Sequence, residues 1–231
     1  MRRVGRAAQH EERVMTITAF PPVEFANDDG LLALGGDLDE ESLLLAYRSG
    51  IFPWPLNRQV LAWFAPPRRA LLFLDRVHVP RSLRKLLRRN PFEVHVDRDF
   101  PAVIRACAAP VNRGLQRGTW ITPGIIAAYT ALHRRGYVHS IESYQDDRLA
   151  GGLYGISIGK MFAGESMFYR TANASKIALL FLLDHLRARG AAWMDCQVMT
   201  PMIEGMGAVE VERDEFMRLL GKALSEGEKL F

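Results

Sequence analysis

The sequence predicts an α+β fold with a mixed β-sheet, and the order of its strand-like and helix-like segments supports this prediction. Strand patterns at residues 139–144, 149–156 and 160–168 follow one another closely, as in an antiparallel meander. A helical pattern at 173–189 separates them from a further strand pattern at 193–199. A meander, a crossover helix and a returning strand together give a sheet with both antiparallel and parallel pairs.

Composition excludes several classes of protein. The chain has 231 residues, of which 48% are hydrophobic and 24% are charged, close to globular averages. Disordered, collagen-like and coiled-coil chains are therefore excluded. No apolar run reaches the ~18 residues that a membrane span needs. The two cysteines, Cys107 and Cys196, are too few for a disulfide framework, so we expect a reducing, cytoplasmic compartment.

Turn-forming residues divide the chain into two predicted domains after a short extension. Residues 1–15 are basic and polar without an apolar core, so we expect a disordered extension and not a signal peptide. Residues 16–67 are rich in glycine and proline and predict a small N-terminal domain. Residues 68–231 alternate strand and helix signals and predict the larger second domain.

Local signals predict the remaining elements in order. In the N-terminal domain, Asp37 or Asp39 can cap a helix over residues 40–48, which Gly50 then ends. Residues 145–148 read as the turn of a hairpin between the first two strands of the meander. The other predicted elements are strands at 70–73 and 92–96, and helices at 80–90, 99–107, 123–135 and 214–224.

The predicted helix at 80–90 carries basic residues without any acidic residue. Its leucines, Leu83, Leu86 and Leu87, fall on the opposite face. A solvated surface helix would explain this pattern, although such helices usually mix charges for i,i+4 pairing. A helix that contacts phosphates would explain it too, and the net charge of +4 does not decide between them. The basic residues are Arg81, Arg84, Lys85, Arg88 and Arg89.

Polar residues also occur inside predicted core strands. Asp195 and Gln197 fall on one face of the strand at 193–199, and Glu165 lies within the strand at 160–168. A buried carboxylate costs several kcal/mol unless it is paired or hydrogen-bonded. These side chains therefore predict a functional site, unless the strand faces that carry them are exposed to solvent.

Two tryptophans lie in predicted loops. Trp54 is flanked by prolines, and Trp120 directly precedes a predicted helix. Aromatic side chains on loops can stack on nucleobases, at ~1–3 kcal/mol per base, but ordinary core filling explains them equally well. The six histidines and two cysteines show no metal-ligand spacing, so we expect no metal site.

An ordered set of motifs resembles the leucyl/phenylalanyl-tRNA–protein transferase family. The resemblance covers about residues 17 to 220. Each motif alone is weakly specific, whereas the ordered set is strongly specific. The motifs are GLLALGGDL at 30–38, GIFPW at 50–54, GTWIT at 118–122, HSIE at 139–142, FAGESMF at 162–168, NASK at 173–176 and DCQ at 195–197.

The resemblance implies a fold and an activity. The fold is a small N-terminal domain joined to an acyl-CoA N-acyltransferase-like domain. The activity moves leucine or phenylalanine, with methionine as a third candidate, from aminoacyl-tRNA to a protein that begins with arginine or lysine. The product is a degradation signal of the bacterial N-end rule pathway. The resemblance further implies that the reaction needs no cofactor and no metal, because the aminoacyl ester is already activated. We also expect a cytoplasmic monomer with no membrane partner.

The resemblance also implies roles for individual residues. Asp195 and Gln197 match a catalytic pair, in which Asp195 polarises Gln197 and the amide oxygen of Gln197 accepts a proton from the attacking amine. Glu165 matches the residue that receives the basic side chain of the acceptor. The five basic residues of the helix at 80–90 match a helix that contacts the tRNA acceptor stem. Residues expected to bind the aminoacyl-adenosine are Trp54, Trp120, Phe162, Met167 and Met194.

Two other functions fit part of the sequence. An acyl-CoA-dependent N-acetyltransferase needs a glycine-rich turn that opens a helix around the pyrophosphate, but residues 169–172 contain no glycine. A non-catalytic tRNA-binding module would explain the basic helix and the tryptophans, but it gives no role to Asp195 and Glu165.

Overall fold

The described part of the chain folds in the α+β class, and this prediction is confirmed. The computed structural model describes residues 16–57, 59–89, 91–109, 119–227 and 229–231. The predicted extension at residues 1–15 lies outside this part of the chain. The described residues form a three-stranded sheet and a seven-stranded sheet, with helices around them.

The N-terminal part contains a small antiparallel sheet that the sequence did not predict. A 3₁₀ helix at Val23–Phe25 precedes strand β1, Leu31–Leu34, and helix α1, Glu40–Arg48, separates β1 from β2, Phe52–Pro53, and β3, Ala62–Phe64. The sheet order is β1-β3-β2. Strands of two to four residues are too short to show an alternating pattern, so only their long-range pairing reveals them. Of the two proposed caps for α1, Asp39 accepts the N–H of Glu41.

The larger sheet contains seven strands in the order β10-β4-β9-β8-β7-β6-β5. All neighbouring strands are antiparallel except β8 and β9, so the sheet is mixed as predicted. The predicted hairpin turn is confirmed at Asp146 and Asp147, whose φ values of 49° and 57° suit a two-residue turn. The strands are β4 Arg68–Phe73, β5 Glu93–Val96, β6 Val138–Gln145, β7 Arg148–Ile158, β8 Met161–Tyr169, β9 Trp193–Gln197 and β10 Val209–Glu212.

Helices cover both faces of this sheet and enclose two hydrophobic cores. Helices α3, α4 and α7 pack on one face together with the N-terminal part, and α2, α5 and α6 pack on the other. Asn173 precedes α5 as predicted, but its side chain makes no capping hydrogen bond, because the residue adopts a left-handed backbone with φ of 69°. The helices are α2 Arg81–Arg89, α3 Phe100–Ala108, α4 Pro123–Arg134, α5 Ala174–Ala188, α6 Pro201–Glu204 and α7 Arg213–Ser225.

Two β-bulges in the neighbouring strands β8 and β9 lie beside the candidate site. Strands β8 and β9 pair in parallel at Ala163 and Asp195. Just beyond this pair, β8 carries one extra residue, Glu165, opposite β7, and β9 carries one extra residue, Cys196, opposite β4. Such bulges turn side chains away from the regular alternation and are common beside active sites. The predicted strand at 193–199 consequently ends at Gln197, two residues early.

Candidate active site

A buried ion pair lies at the end of β9. The Asp195 carboxylate is 1% exposed and accepts two hydrogen bonds from Arg69 of β4, Nε to Oδ1 at 2.9 Å and Nη2 to Oδ2 at 2.7 Å. The Arg69 guanidinium lies between the rings of Phe52 and Phe216, 4.6 Å from each centroid. The two charges therefore compensate one another in a site that excludes water.

Asp195 also fixes the backbone of Gln197. The N–H of Gln197 donates to Asp195 Oδ1 at 2.8 Å, and Gln197 has φ of 62°, in the left-handed region. A non-glycine residue adopts this conformation at a cost that its surroundings must offset. The carboxylate thus contacts the main chain of Gln197, whereas the relay implied by the family resemblance requires contact with its side-chain amide.

The Gln197 side chain instead meets Glu165. Its Nε2 donates to Glu165 Oε1 at 2.9 Å, and the Tyr47 hydroxyl donates to the same oxygen at 2.6 Å. The Tyr129 hydroxyl lies 3.4 Å from Glu165 Oε2, and its single proton is shared between that oxygen and the Tyr47 hydroxyl. The three predicted polar residues, Asp195, Gln197 and Glu165, therefore form one connected site.

Burial raises the pKa of Glu165 to about 7, and the nearby charge of Asp195 acts in the same direction. The hydrogen bonds from Tyr47 and Tyr129 and the charge of Arg69 oppose this rise. Glu165 therefore changes its charge near neutral pH, which is the property expected of a functional carboxyl group.

Tyr47 and Tyr129 are site residues that the sequence analysis did not identify. They lie on α1 and α4, are almost fully buried, and share a hydrogen bond between their hydroxyl groups. Burial, with the charge of Glu165 next in importance, raises the pKa of both hydroxyls well above its usual value, so both remain neutral donors. A tyrosine on the inner face of a helix resembles any core aromatic residue in sequence, and no pattern marks its hydroxyl as functional.

An apolar cavity of about 180 Å³ opens beside Glu165, where β8 and β9 carry their bulges. Met167, Met194 and Met202 line it, together with Leu179 and Leu182 of α5. Methionine adapts its shape to different apolar ligands. The cavity is suited to a medium-sized hydrophobic side chain.

Two further residues complete the description of this cavity. Burial raises the pKa of the Cys196 thiol well above its usual value, so this lining residue remains a neutral thiol. Phe162 is fully buried and lies outside the cavity wall, where its ring is 5.7 Å from that of Phe231. Of the three side chains expected around the amino acid, Met167 and Met194 line the cavity.

The two loop tryptophans stack on each other. The ring centroids of Trp54 and Trp120 lie 5.3 Å apart with 19° between the ring planes. Both side chains are partly buried, packed against the core under α3 and α4. Trp54 comes from the N-terminal part and Trp120 from the segment before α4, so the stack joins the two parts of the molecule.

The basic residues of α2 are exposed. Leu83 is buried and Leu86 is partly buried, so these two leucines hold the helix against the core shared with α5. Leu87 was predicted on the same face but is 39% exposed, because it lies at the margin of the helix contact. Within the described residues, no acidic side chain pairs with the five cations Arg81, Arg84, Lys85, Arg88 and Arg89.

The described residues contain neither a metal-binding cluster nor a membrane-spanning helix. No group of three or more His, Cys, Asp or Glu side chains in this part of the chain could hold a metal ion. None of its helices combines the length and the apolar composition needed to cross a membrane.

Comparison with known families gives matches along most of the chain. The family model described as "Leucyl/phenylalanyl-tRNA protein transferase" matches residues 71–221, and the model of its N-terminal domain matches residues 36–67. Curated proteins named "Leucyl/phenylalanyl-tRNA--protein transferase" are similar over nearly their whole length. The one from Syntrophobacter fumaroxidans is 49% identical over 90% of this chain and 88% of its own. The one from Nitrosomonas eutropha is 48% identical over 92% of this chain and 91% of its own.

Solved structures give a weaker likeness. The C-terminal domain of a putative lysylphosphatidylglycerol synthetase from Agrobacterium fabrum is 14% identical and covers 72% of this chain and 54% of that one. Its TM-score of 0.40 is too low to support an inference about fold or function.

Proposed function

The chain belongs to the leucyl/phenylalanyl-tRNA–protein transferase family, and from this premise we propose that it transfers leucine or phenylalanine from aminoacyl-tRNA to proteins that begin with arginine or lysine. One observation carries the proposal: a carboxyl group, Glu165, borders an apolar cavity of about 180 Å³. The cavity suits the side chain of the donor amino acid, and the carboxylate suits the cation of the acceptor.

The proposed reaction needs no further energy source. The α-amine of the acceptor attacks the carbonyl carbon of the aminoacyl ester, a C–N bond forms, and the C–O bond to the terminal ribose breaks. The proton lost by the amine is transferred to the ribose oxygen that is released when the C–O bond breaks. Holding amine and ester in a reactive orientation alone can contribute ~7–11 kcal/mol to lowering the barrier.

Gln197 is the residue we propose to meet the amine. Its Nε2 is engaged by Glu165, which turns the amide so that Oε1 remains as an acceptor for the amine N–H. A neutral amide is a weak base, so its contribution is orientation of the amine more than removal of the proton. Asp195 holds the main chain of Gln197 and acts by positioning it.

Glu165 is the residue we propose to receive the arginine or lysine side chain. Charge-assisted hydrogen bonds between a carboxylate and a cation are stronger than neutral ones. Oε2 of Glu165 is less tightly engaged than Oε1, since Tyr129 lies 3.4 Å away whereas Tyr47 lies 2.6 Å from Oε1. We propose that Oε2 binds the acceptor cation.

Met167 and Met194 are proposed to surround the donor side chain, with Phe162 supporting the wall from behind. We expect Gly164→Ala to lower kcat/KM for Phe-tRNA by at least about tenfold and for Leu-tRNA by less, because the added methyl group narrows the cavity. The new Cβ would lie 3.6 Å from Met194 Cε, an ordinary contact, so the fold should tolerate it. Single-turnover transfer with both tRNAs measures the change.

Gly221→Ala is the matched control for that variant. Gly221 lies on α7, and its added Cβ would meet no atom within 4 Å. Equal losses with the two donors in Gly164→Ala would contradict the assignment of the cavity to the donor side chain.

The α2 cations are proposed to contact the phosphates of the tRNA acceptor stem, and Trp54 and Trp120 to hold the terminal adenosine with the outer faces of their stack. We expect the double replacement Arg84→Ala and Arg88→Ala to weaken tRNA binding and to reduce the slope of log K against log salt by about 1 to 2. Filter binding over a range of salt concentrations measures both quantities.

Replacement of Arg218 and Lys222 by alanine is the control for this pair. These cations have the same i,i+4 spacing on α7, which packs on the opposite face of the sheet. If the slope of log K against log salt is unchanged in the α2 variant, α2 does not contact the tRNA and is an ordinary solvated surface helix.

One assay tests the proposed function as a whole. Purified protein is mixed with labelled Leu-tRNA, without CoA, and with a peptide that begins with arginine or with alanine. We expect label on the arginine peptide and none on the alanine peptide. Binding of tRNA without transfer would instead indicate a binding module, and acetylation on addition of acetyl-CoA would indicate a different donor.

The proposal extends to the setting of the reaction. A tRNA donor places the activity in the cytoplasm, and the transferred residue would mark the acceptor for degradation. Every group of the proposed site comes from one chain, so a monomer suffices.

A further inference from the structure

Arg69 connects the candidate site to three separate parts of the molecule. It starts on β4 and binds Asp195 of β9 through two hydrogen bonds. Its Nη1 also donates to the main-chain oxygen of Gly50 at 3.3 Å, just beyond the end of α1. Its planar group is covered by Phe52 on one side and by Phe216 of α7 on the other.

This environment is specific to a guanidinium group. A buried cation is stable only when its charge is paired and its donors are satisfied. The forked, planar group of arginine fits a carboxylate with two bonds and stacks on aromatic rings, whereas the ammonium of lysine does neither. The neighbouring Arg68 has none of these contacts: its side chain is 63% exposed and pairs with Glu210 and Glu212 on the surface.

Resting on the proposed function, we infer that Arg69 is a positioning residue of the transfer reaction, which sets both groups that hydrogen-bond to Glu165 Oε1. Through Asp195 it fixes the main chain of Gln197, whose Nε2 donates to that oxygen. Through Gly50 it fixes the end of α1, whose Tyr47 donates to it as well. Arg69 thus orients two groups at once. One is the side-chain amide of Gln197, which we propose to bind the acceptor amine, and the other is the carboxylate of Glu165, which we propose to bind the basic side chain of the acceptor.

Arg69 also acts on Glu165 through its charge. Arg69 lowers the pKa of Glu165, while Asp195 raises it. The other polar or titratable groups around Glu165 are the hydroxyls of Tyr47 and Tyr129 and the amide of Gln197. The same cavity is lined by Tyr154, Cys196, Ser166 and Thr200. Among the described groups that shift this pKa, Arg69 supplies the positive charge, so its removal raises the pKa of Glu165 as long as Asp195 stays ionised.

The test compares Arg69→Met with Arg68→Met in the full chain. We expect Arg69→Met to lower kcat by at least about 100-fold, the loss typical of a misplaced reacting group, with KM for Leu-tRNA changed by less than about threefold. The rise of kcat/KM with pH should also move to higher pH. Arg68→Met should leave kcat, KM for Leu-tRNA and the pH at which kcat/KM rises at their original values.

A second readout does not depend on activity. Titration of carbon-13-labelled glutamate by NMR follows Glu165 directly, with a Glu165→Gln sample to assign the signal. We expect its midpoint, about 7 in the original protein, to rise in Arg69→Met and to stay in Arg68→Met. This measurement separates failure of the inference from failure of the proposed function, because it needs neither tRNA nor transfer.

Two further variants keep the inference testable if Arg69→Met fails to fold. Arg69→Lys retains the charge without the fork, so we expect the NMR midpoint near its original value but kcat still reduced at least about tenfold. The double variant Arg69→Met with Asp195→Leu removes both charges, and replacement of a buried pair by apolar residues is often tolerated. It should lose no more activity than Asp195→Leu alone, since Arg69 acts largely through Asp195.

Full kcat in folded Arg69→Lys, or an unmoved Glu165 midpoint in folded Arg69→Met, would overturn the inference. Loss of thermal stability with unchanged kcat per folded molecule would overturn it too, because Arg69 would then serve the fold alone.

Discussion

Glu165→Gln is expected to remove the preference for basic N-terminal residues and to lower kcat/KM for an arginine peptide by at least about 100-fold, through loss of a charge-assisted contact. In the original protein, activity should rise with pH as Glu165 ionises around its pKa of about 7. The acceptor amine itself titrates near ~7.7–8.0. Glu165→Gln should therefore keep the rise in activity that follows ionisation of the acceptor amine and lose the rise that follows ionisation of Glu165.

The same substitution should change how the free energy of unfolding depends on pH, in a direction that follows from the pKa of Glu165. The folded-state pKa of Glu165, about 7, lies above its ordinary value of 4.5, so the folded protein binds the extra proton more tightly than the unfolded chain. The free energy of unfolding should then fall by up to about 3 kcal/mol as pH rises through this interval, and Glu165→Gln should lack that fall. Urea unfolding at a series of pH values measures it.

Glu142→Gln is the matched control for the pH profile of activity. Glu142 is fully buried but binds the backbone N–H groups of Arg98 and Asp99 at the start of α3, away from the candidate site. We expect this variant to keep the activity rise near pH 7. A rise that persists in Glu165→Gln at the same pH would contradict the acceptor role of Glu165.

Substitution of Asp195 is the second large effect that we expect. Asp195→Ala leaves the buried Arg69 unpaired and should lower the free energy of unfolding by about 3–5 kcal/mol, in addition to lowering activity. Asp195→Asn keeps the size of the side chain and an oxygen that can accept the Gln197 N–H. It should therefore fold better than the alanine variant and still lose at least about 100-fold in kcat, because the guanidinium is no longer held.

The measurement pairs urea unfolding with single-turnover transfer for both variants. Binding of Leu-tRNA should remain close to its original affinity, since Asp195 is 1% exposed and offers the tRNA no accessible surface. Full activity in a well-folded Asp195→Asn would limit Asp195 to a structural role.

The fold followed from sequence wherever the signal was local. The meander, its Asp146–Asp147 turn and the Asp39 cap all depend on residues close in the chain, and they were predicted. The N-terminal sheet was missed because strands as short as Phe52–Pro53 owe their existence to partners elsewhere in the chain.

The candidate site was predictable in part. Glu165, Asp195 and Gln197 were identified because polar residues inside apolar strands need an explanation. Arg69 was missed: the predicted strand began at residue 70, because the apolar run that predicted it begins with Ala70. The bulge at Glu165 depends on the register with β7, which no local pattern encodes.

The contribution of α1 to Glu165 has a consequence for how this protein can be divided. Tyr47 and Gly50 lie on the N-terminal side of residue 67, whereas Glu165, Gln197 and Arg69 lie on the other side. The charge state of the proposed acceptor carboxylate is thus set partly by a segment that does not carry it. A chimera that exchanges the first 67 residues would therefore have to preserve the contacts of Tyr47 and Gly50 in order to keep the proton affinity of Glu165.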